Sequence, residues 1–428
     1  MTGTFAIATL GCKTNQFESA ALIEQLRAAG YRQVNYGAGA DLVIVNTCTV
    51  TATTDAQSRN LIRRARRINP ACRVVVTGCY AQIDPQSLAA IPGVSLVLGN
   101  EEKQQLIGLL AEDRRGVAVS DIRQAKGAAM SLSTFSGRSR AFVQIQNGCD
   151  AFCSYCIIPY ARGPSRSVAA EQVLGQIRDL CAAGYPELVL TGIHIGAYGL
   201  DLNPADSLLA LVRRIEGETA VRRLRLGSLE PQELSPELLE AVVASKVVCP
   251  HLHLPLQSGD DEVLQRMNRH YTADFFRRQV AAIHAGLPGA AIGLDVITGF
   301  PGETDEAFRR TLTLIEELPV SHLHVFPFSR RPGTPAARMG GQVPGPLARE
   351  RAAELRALGE AKLQAFSRRV IGDTLELVVE GRNRGGWQQG LSRQYLTVSF
   401  EAGEKLAGRT VQVQVTEWTE QGLRGRRV

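Results

Sequence analysis

Residues 147–163 read NGCDAFCSYCIIPYARG, and the C-x3-C-x2-C run Cys149, Cys153 and Cys156 decides what is built around them. Three thiolates on one short loop leave the fourth iron of a 4Fe-4S cluster without a protein ligand, open to bind something else. Structural zinc needs four ligands, and zinc knuckles pair two C-x2-C units; no second unit is present. The run directly follows a candidate strand, Ala141–Gln146. Five more candidate strands follow, Glu187–Thr191, Arg223–Gly227, His251–Leu256, Ala291–Ile297 and Ser321–Phe328, with helical stretches between them. Six βα units of this size predict a partial (β/α) barrel, whose active site gathers at the C-terminal strand ends. The cysteine run sits in that position.

Upstream, residues 1–125 repeat the alternation. Phe5–Thr9 is a short apolar run followed by a helical pattern from Phe17 to Ala29. Asp41–Asn46 reads as a buried strand, Asp55–Ile68 as a helix, and Arg73–Thr77 and Ser95–Leu98 as further strands. This predicts a parallel sheet with helices on both faces. Cys12, Cys48 and Cys79 each follow the C-terminal end of a strand, the edge where open parallel sheets bind ligands. Three residues distant in sequence therefore converge on a second three-thiol site. Cys72 precedes its strand, roughly 20 Å from Cys79 at ~3.3 Å per residue, and is expected to be structural. Cys181, on an apolar helix face, and Cys249, before a strand, read as buried small hydrophobes.

Downstream, residues 330–346 are rich in Pro and Gly and read as a linker, followed by a helix over Leu347–Val370. Residues 371–428 change character: LELVVEG, YLTVSF and VQVQVTEW alternate apolar and polar residues between Gly-containing turns. A small all-β, OB-like barrel is expected. The expected fold is thus α/β with this added β-domain, divided as 1–125, 135–345, a linker helix 346–370, and 371–428.

The 428 residues suffice for two or three full cores, and 44% apolar with 21% charged residues is ordinary for a globular protein. Nothing approaches the ~18 apolar residues of a spanning helix, and the N-terminal stretch carries no basic region followed by an apolar run. A cytoplasmic protein without membrane contact is expected, and nine cysteines with this spacing in such a chain argue for metal ligation over disulfides.

The compact cysteine run, with an aromatic before its last cysteine, resembles the signature of the radical S-adenosylmethionine superfamily. The resemblance implies that the open iron binds the amino and carboxylate groups of S-adenosylmethionine. Segments after later strands match where such enzymes hold that cofactor: Gly192 and Gly196 in TGIHIGAYG, Ser228 and Glu230 in GSLEP, Gln257 and Ser258 after the fourth strand, and GFPGET at 299–304. Of these, Gly192, Ser228, Glu230 and Gln257 are the expected contacts.

The three-part layout, with a C-terminal domain of TRAM type, is similar over nearly the whole chain to the methylthiotransferases. TLGCKTNQFES around Cys12 and NGCDAFCSYCIIPYARGPSRS resemble the branch acting on N6-threonylcarbamoyladenosine in tRNA. The isopentenyladenosine branch reads more like YGCQMN at the first site, and the ribosomal-protein branch more like LGCPKN. Phe17 departs from the Tyr this branch often carries. The resemblance implies two 4Fe-4S clusters, one on Cys149, Cys153 and Cys156 and an auxiliary one on Cys12, Cys48 and Cys79. It further implies that one S-adenosylmethionine methylates a cluster-borne sulfur. A second yields a 5′-deoxyadenosyl radical that takes hydrogen from carbon 2 of adenosine 37. No protein general base is nominated. The competing expectations are isopentenyladenosine or a ribosomal-protein aspartate as substrate, or a non-catalytic RNA-binding iron–sulfur protein.

The implied partner is a tRNA anticodon stem-loop, with an electron donor, a sulfur source and a monomeric state. A net charge of +6 permits such a partner. Arg59, Arg63, Arg64, Arg66 and Arg67 cluster on one helix, as phosphate contacts or as a solvated face. Arg138 and Arg140 precede the barrel. Arg162 and Arg166 flank the radical loop, where a carboxylate or phosphate would be held. The tail Arg424, Arg426 and Arg427 concentrates the charge of the last domain. Trp387 and Trp418 could stack on bases or fill the core. His251 with His253, and His322 with His324, alternate along strands and are expected to pack.

Overall fold

A computed structural model describes all residues except 1, 2, 128, 129, 131, 133, 136, 137 and 385, and the side chains of 382–384. The first two residues of the N-terminal stretch and parts of the 128–137 segment therefore lie outside the described residues.

The first sheet is parallel throughout, with strands β1 (Thr4–Thr9), β2 (Arg32–Gln33), β3 (Leu42–Thr47), β4 (Arg73–Gly78), β5 (Val94–Leu98) and β6 (Gly116–Ala118) in the order β2-β1-β3-β4-β5-β6. β3 (LVIVNT) is buried along its whole length, and β4 (RVVVTG) nearly so, as fits central strands covered on both faces. One face packs Phe17, Leu22 and Leu26 of the helix Lys13–Ala28. The other packs Ile62 and Ala65 of the helix Ala52–Ile68, together with Cys72. The helix Lys13–Ala28 starts four residues before the expected Phe17. KTNQ shows no apolar period, yet Thr14, Asn15 and Glu18 are buried polar residues under the neighbouring barrel.

The second unit begins with β7 (Ala141–Gln144). A short antiparallel pair, β8 (Gln146–Asn147) and β9 (Arg166–Ser167), ties the two ends of the cysteine loop together. β10 (Leu188–Thr191) and β11 (Leu224–Arg225) complete a parallel trio with β7. β12 (His251–Gln257), β13 (Ala291–Thr298) and β14 (His322–Pro327) form another. Single parallel bridges, Leu224–Val248 and Ser228–His253, join the trios into one open, six-stranded barrel. The third strand is shorter than its expected Arg223–Gly227 because only these bridges continue its ladder.

The helix Gly345–Arg368 returns along β13 and β14, and its Arg351 is paired with Glu303 of the GFPGET turn at 2.6 Å. β15 (Thr374–Arg384), β16 (Trp387–Ser392), β17 (Thr397–Glu401), β18 (Thr410–Thr419) and β19 (Gly422–Arg427) close a small barrel in the order β15-β16-β17-β19-β18. The basic tail is thus the last strand, pairing with β17 and β18. Its GLRGRR text has no apolar alternation, and barrel closure supplies what the pattern lacks.

The small barrel sits on the N-terminal end of the larger one. Arg223 and Arg225 are fully buried and donate to the carbonyls of Leu391, Ser392 and Arg393. Both also bond Glu187, which Arg140 joins at 3.4 Å. Tyr395 stacks on His251 with ring centroids 4.4 Å apart and lies under Arg225.

Candidate active site

β1, β3 and β4 are neighbours, and Cys12, Cys48 and Cys79 sit just beyond their C-terminal ends. Gly11 has φ +92°, and a Cβ there would lie 2.8 Å from Cys48 Sγ, so glycine lets the first loop close over the second. Burial pushes the Cys48 thiol up to about 12, and its neighbours Cys79 and Cys12 push in the same direction. Burial also raises the Cys72 thiol, but the charge that thiol feels is Arg66. The structure thus separates Cys72 from the trio, as its place before the strand implied.

Cys149, Cys153 and Cys156 lie on the loop between β8 and β9. Burial pushes the Cys156 thiol up to about 12, reinforced by Cys153 and Cys149. Arg269 donates to Cys153 Sγ at 3.4 Å, and His194 Nδ1 lies 3.6 Å from Cys149 Sγ. Burial opposes the charge on His194, yet its bonds to Cys149 and to Glu233 raise it to about 10. Among the described residues, no metal-ligand trio containing a cysteine has its ligand atoms within 4.8 Å of one another. One zinc ion gathers thiolates to about 3.8 Å, from Zn–S bonds near 2.3 Å. Neither thiol trio is drawn together that tightly among the described residues.

Arg162, at the end of the short helix Ile158–Arg162, links the two trios. Its Nε donates to Cys79 Sγ at 3.3 Å, and its remaining N–H groups reach Glu18, Asn147 and Asn15. Lys103 shares the same Glu18 carboxylate at 2.7 Å. Burial alone would raise Glu18; the two cations outweigh it and hold the carboxyl near 2. The expectation that Arg162 and Arg166 hold a ligand's carboxylate or phosphate is therefore corrected. Arg162 is spent on the interface, and Arg166 donates to the carbonyls of Gly127, Pro164 and Arg162.

A cavity of about 230 Å³ opens beside Cys156, walled by Tyr155 to Ile158, by Val50 and Thr51 of the loop that follows Cys48, and by Gln257, Asp295, Ile297 and Phe326–Ser329. Of the four expected cofactor contacts, Gln257 lines it, at φ +64°. Gly192, Ser228 and Glu230 do not. Both Glu230 oxygens pair with Arg269, so this carboxylate orients the guanidinium on Cys153. Ser228 Oγ lies 2.8 Å from His253 Nδ1. A Cβ on Gly192 would meet the Gln146 carbonyl at 2.9 Å, so this glycine serves close packing of the loop.

Behind the cavity the lumen is polar, which the strand patterns did not signal. His251 and His253 of β12 and His322 and His324 of β14 gather there rather than packing among apolar side chains. A Cβ on Gly293 would lie 2.3 Å from His322 Nε2. Asp295 lies 3.2 Å from both His253 and His324; burial opposes its charge, but these bonds hold its carboxyl well below the usual range. Lys13 reaches the same region, and burial, with Arg225 and Arg140, lowers it to about 8. The two His-x-His pairs along their strands and a lone Asp in the apolar text AIGLDVIT were the available signals for this layer.

Residues 143–315 match the radical SAM superfamily, and residues 4–99 match "Uncharacterized protein family UPF0004". The chain is 41% identical over 424 residues to the threonylcarbamoyladenosine tRNA methylthiotransferase MtaB of Bacillus subtilis (strain 168), covering 96% of this chain and 93% of that one. The chain belongs to the radical S-adenosylmethionine methylthiotransferases. A tRNA-2-methylthio-N(6)-dimethylallyladenosine synthase of Desulfitobacterium hafniense (strain Y51) is 32% identical over 423 residues, covering 96% of this methylthiotransferase and 94% of that chain. The solved radical S-adenosylmethionine methyltransferase TsrM of Kitasatospora setae shares the fold at TM-score 0.57 and 18% identity, covering 91% of this chain and 81% of that one. As a member of its family this methylthiotransferase is a transferase that uses a 4Fe-4S cluster and S-adenosylmethionine. Among its described residues no helix is long and apolar enough to cross a membrane.

Proposed function

We propose that this methylthiotransferase places a methylthio group on carbon 2 of N6-threonylcarbamoyladenosine at position 37 of tRNA. The observation that carries the reading is one cavity lined both by Cys156 of the compact trio and by Val50 and Thr51 of the loop that follows Cys48. Cys149, Cys153 and Cys156 would hold the radical cluster, and Cys12, Cys48 and Cys79 the auxiliary one. When bound, these clusters and S-adenosylmethionine supply the carbon-centred radical and the methylthio group that acid–base side chains cannot. In this reading residues 1–125 carry the auxiliary cluster, 135–345 the radical chemistry, 346–370 connect, and 371–428 hold RNA.

The chain's own residues bind and position. Arg269, steered by Glu230, and Arg162, steered by Glu18, each place a fixed positive charge on a thiol of one trio. Gln257 lines the cavity as the cofactor contact, with Gly192, Ser228 and Glu230 shaping the loops around it. Val50 and Phe326 on the cavity wall are exposed, as are Phe152 and Tyr160 of the radical loop, and they offer apolar surface to an unstacked base. Arg63, Arg64 and Arg67 are exposed for phosphates, whereas Arg59 is tied to Tyr80 and Arg66 to the Cys72 carbonyl. Trp418 packs on the small barrel's core, while Trp387 lies under Arg424, 4.9 Å from its centroid, as a stacking platform. The protein acts as a cytoplasmic monomer that draws electrons and sulfur from outside donors.

The relative from Bacillus subtilis supports the threonylcarbamoyl substrate, and the polar lumen supports a polar N6 substituent over an apolar dimethylallyl group. The test is mass spectrometry of tRNA nucleosides from cells lacking the gene. Loss of 2-methylthio-N6-threonylcarbamoyladenosine is expected; an unchanged nucleoside profile rejects the reading.

A further inference from the structure

Three neighbouring strands of the large barrel carry a side-chain cluster that the proposed chemistry leaves unused. His253 of β12, Asp295 of β13 and His324 of β14 bring two ring nitrogens and one carboxylate oxygen within 4.8 Å of one another. Asp295 and His324 are register partners, and His253 is paired with Gly293, two residues before Asp295. Residues two apart on a strand share a face, so the three converge from rigid elements. Asp295 Oδ1 lies 3.2 Å from His253 Nε2 and 3.2 Å from His324 Nδ1. Ligand atoms held about 2.1 Å from one ion stand roughly 3.0–3.4 Å apart, so these gaps already suit a shared metal.

The surroundings supply what metal-bound imidazoles need. His253 Nδ1 lies 2.8 Å from Ser228 Oγ, and His322 Nδ1 lies 2.8 Å from Ser321 Oγ. Engaging Nδ1 in this way orients each ring and aims its Nε2. Both Nε2 atoms are buried without a hydrogen-bond partner; that of His253 stands beside the carboxylate but is not aligned to donate to it. The His322 ring adjoins the cluster, its centroid 5.5 Å from that of His324 and 6.4 Å from that of His253, in space that Gly293 leaves open. A carboxylate drawn out of water needs a counter-charge, and neutral imidazoles supply none. We infer that His253, Asp295 and His324 hold a divalent metal ion, with His322 beside them as a further nitrogen ligand. Two imidazoles and one carboxylate are a donor set for zinc, manganese(II) or iron(II) that leaves positions open. Asp295 lines the cavity together with Cys156 and Gln257, so an oxygen donor of a molecule bound there can complete the shell. This ion is separate from the iron of either cluster, and it does not depend on which tRNA base the protein modifies.

Reconstituted, desalted full-length protein is titrated with manganese(II), an ion that thiolate sulfur takes poorly. The free ion is read from its electron paramagnetic resonance spectrum. Elemental analysis counts zinc and manganese already carried, and iron in excess of labile sulfide. Wild type is expected to hold about one divalent ion per chain beyond its cluster iron. Asp295→Asn and His324→Ala should lose that ion or bind it at least about tenfold more weakly, and Ser228→Ala, which frees the His253 ring, should weaken it by up to about tenfold. His284→Ala, on the helix Ala273–Gly286, should change nothing. Cluster iron in the same samples shows that each variant is folded and loaded. His324 and Ser228 are exposed, so their variants keep the test decisive if Asp295→Asn loses iron. Wild type without a divalent ion beyond its cluster iron overturns the inference, and the cluster is then a protonated histidine–carboxylate pair. Iron-replete Asp295→Asn or His324→Ala that binds manganese(II) as tightly as wild type overturns it too, the ion then being adventitious.

Discussion

Arg162 Nε donates to Cys79 Sγ at 3.3 Å, so a residue of the radical loop rests directly on a thiol of the dispersed trio. The guanidinium is wholly buried and is neutralised by Glu18, itself shared with Lys103. Replacing Arg162 with Met leaves a buried carboxylate with one cation in place of two, and breaking such a pair costs about 3–5 kcal/mol. The Arg162→Met protein is expected to unfold at markedly lower urea and to bind less iron on reconstitution. Arg162→Lys should recover little, since an ammonium cannot span Cys79, Glu18 and Asn15 together. Wild-type urea midpoints in both variants count against this account.

The same carboxylate sets a pH dependence. Glu18 is held near 2 in the fold against 4.5 when free, so its contribution is complete above about pH 4.5 and is lost as pH falls toward 2. Urea midpoints should decline over that window in the wild type. A Glu18→Gln protein should start lower and decline less, and equal slopes for the two proteins would falsify the assignment.

Changing Cys12, Cys48 and Cys79 together to Ala should lower the iron of a reconstituted monomer from about eight to about four atoms, one cubane being lost. Cleavage of S-adenosylmethionine should persist and methylthio product disappear. Retained methylthiolation in that triple variant sinks the two-site mechanism.

Gln in place of the exposed Arg63, Arg64 and Arg67 should weaken tRNA binding and reduce the slope of log K against log salt, by about one unit for each phosphate no longer neutralised. Gln at Arg59, which bonds the Tyr80 hydroxyl, should leave that slope unchanged. Equal effects from both sets would mean that the helix does not face RNA.

Both thiol trios were legible in the sequence, for different reasons. The compact run is local text; the dispersed one followed from strand order, because Cys12, Cys48 and Cys79 close three adjacent parallel strands while Cys72 opens one. What escaped was whatever depends on a partner outside the local run. Asn15 and Glu18 look like an exposed first turn until Arg162 is placed on them. β19 looks like a basic tail until β17 and β18 pair with it. Glu230 reads as a ligand contact until Arg269 takes both its oxygens. Neither helical period nor strand alternation carries information about a partner that lies outside the run it describes.

The seat of the small barrel has a last consequence. Half-buried Tyr395, with buried His251 and the buried Glu187–Arg223–Arg225 group, stoppers the N-terminal end of the lumen. The large barrel is therefore stopped at that end rather than a pipe open at both.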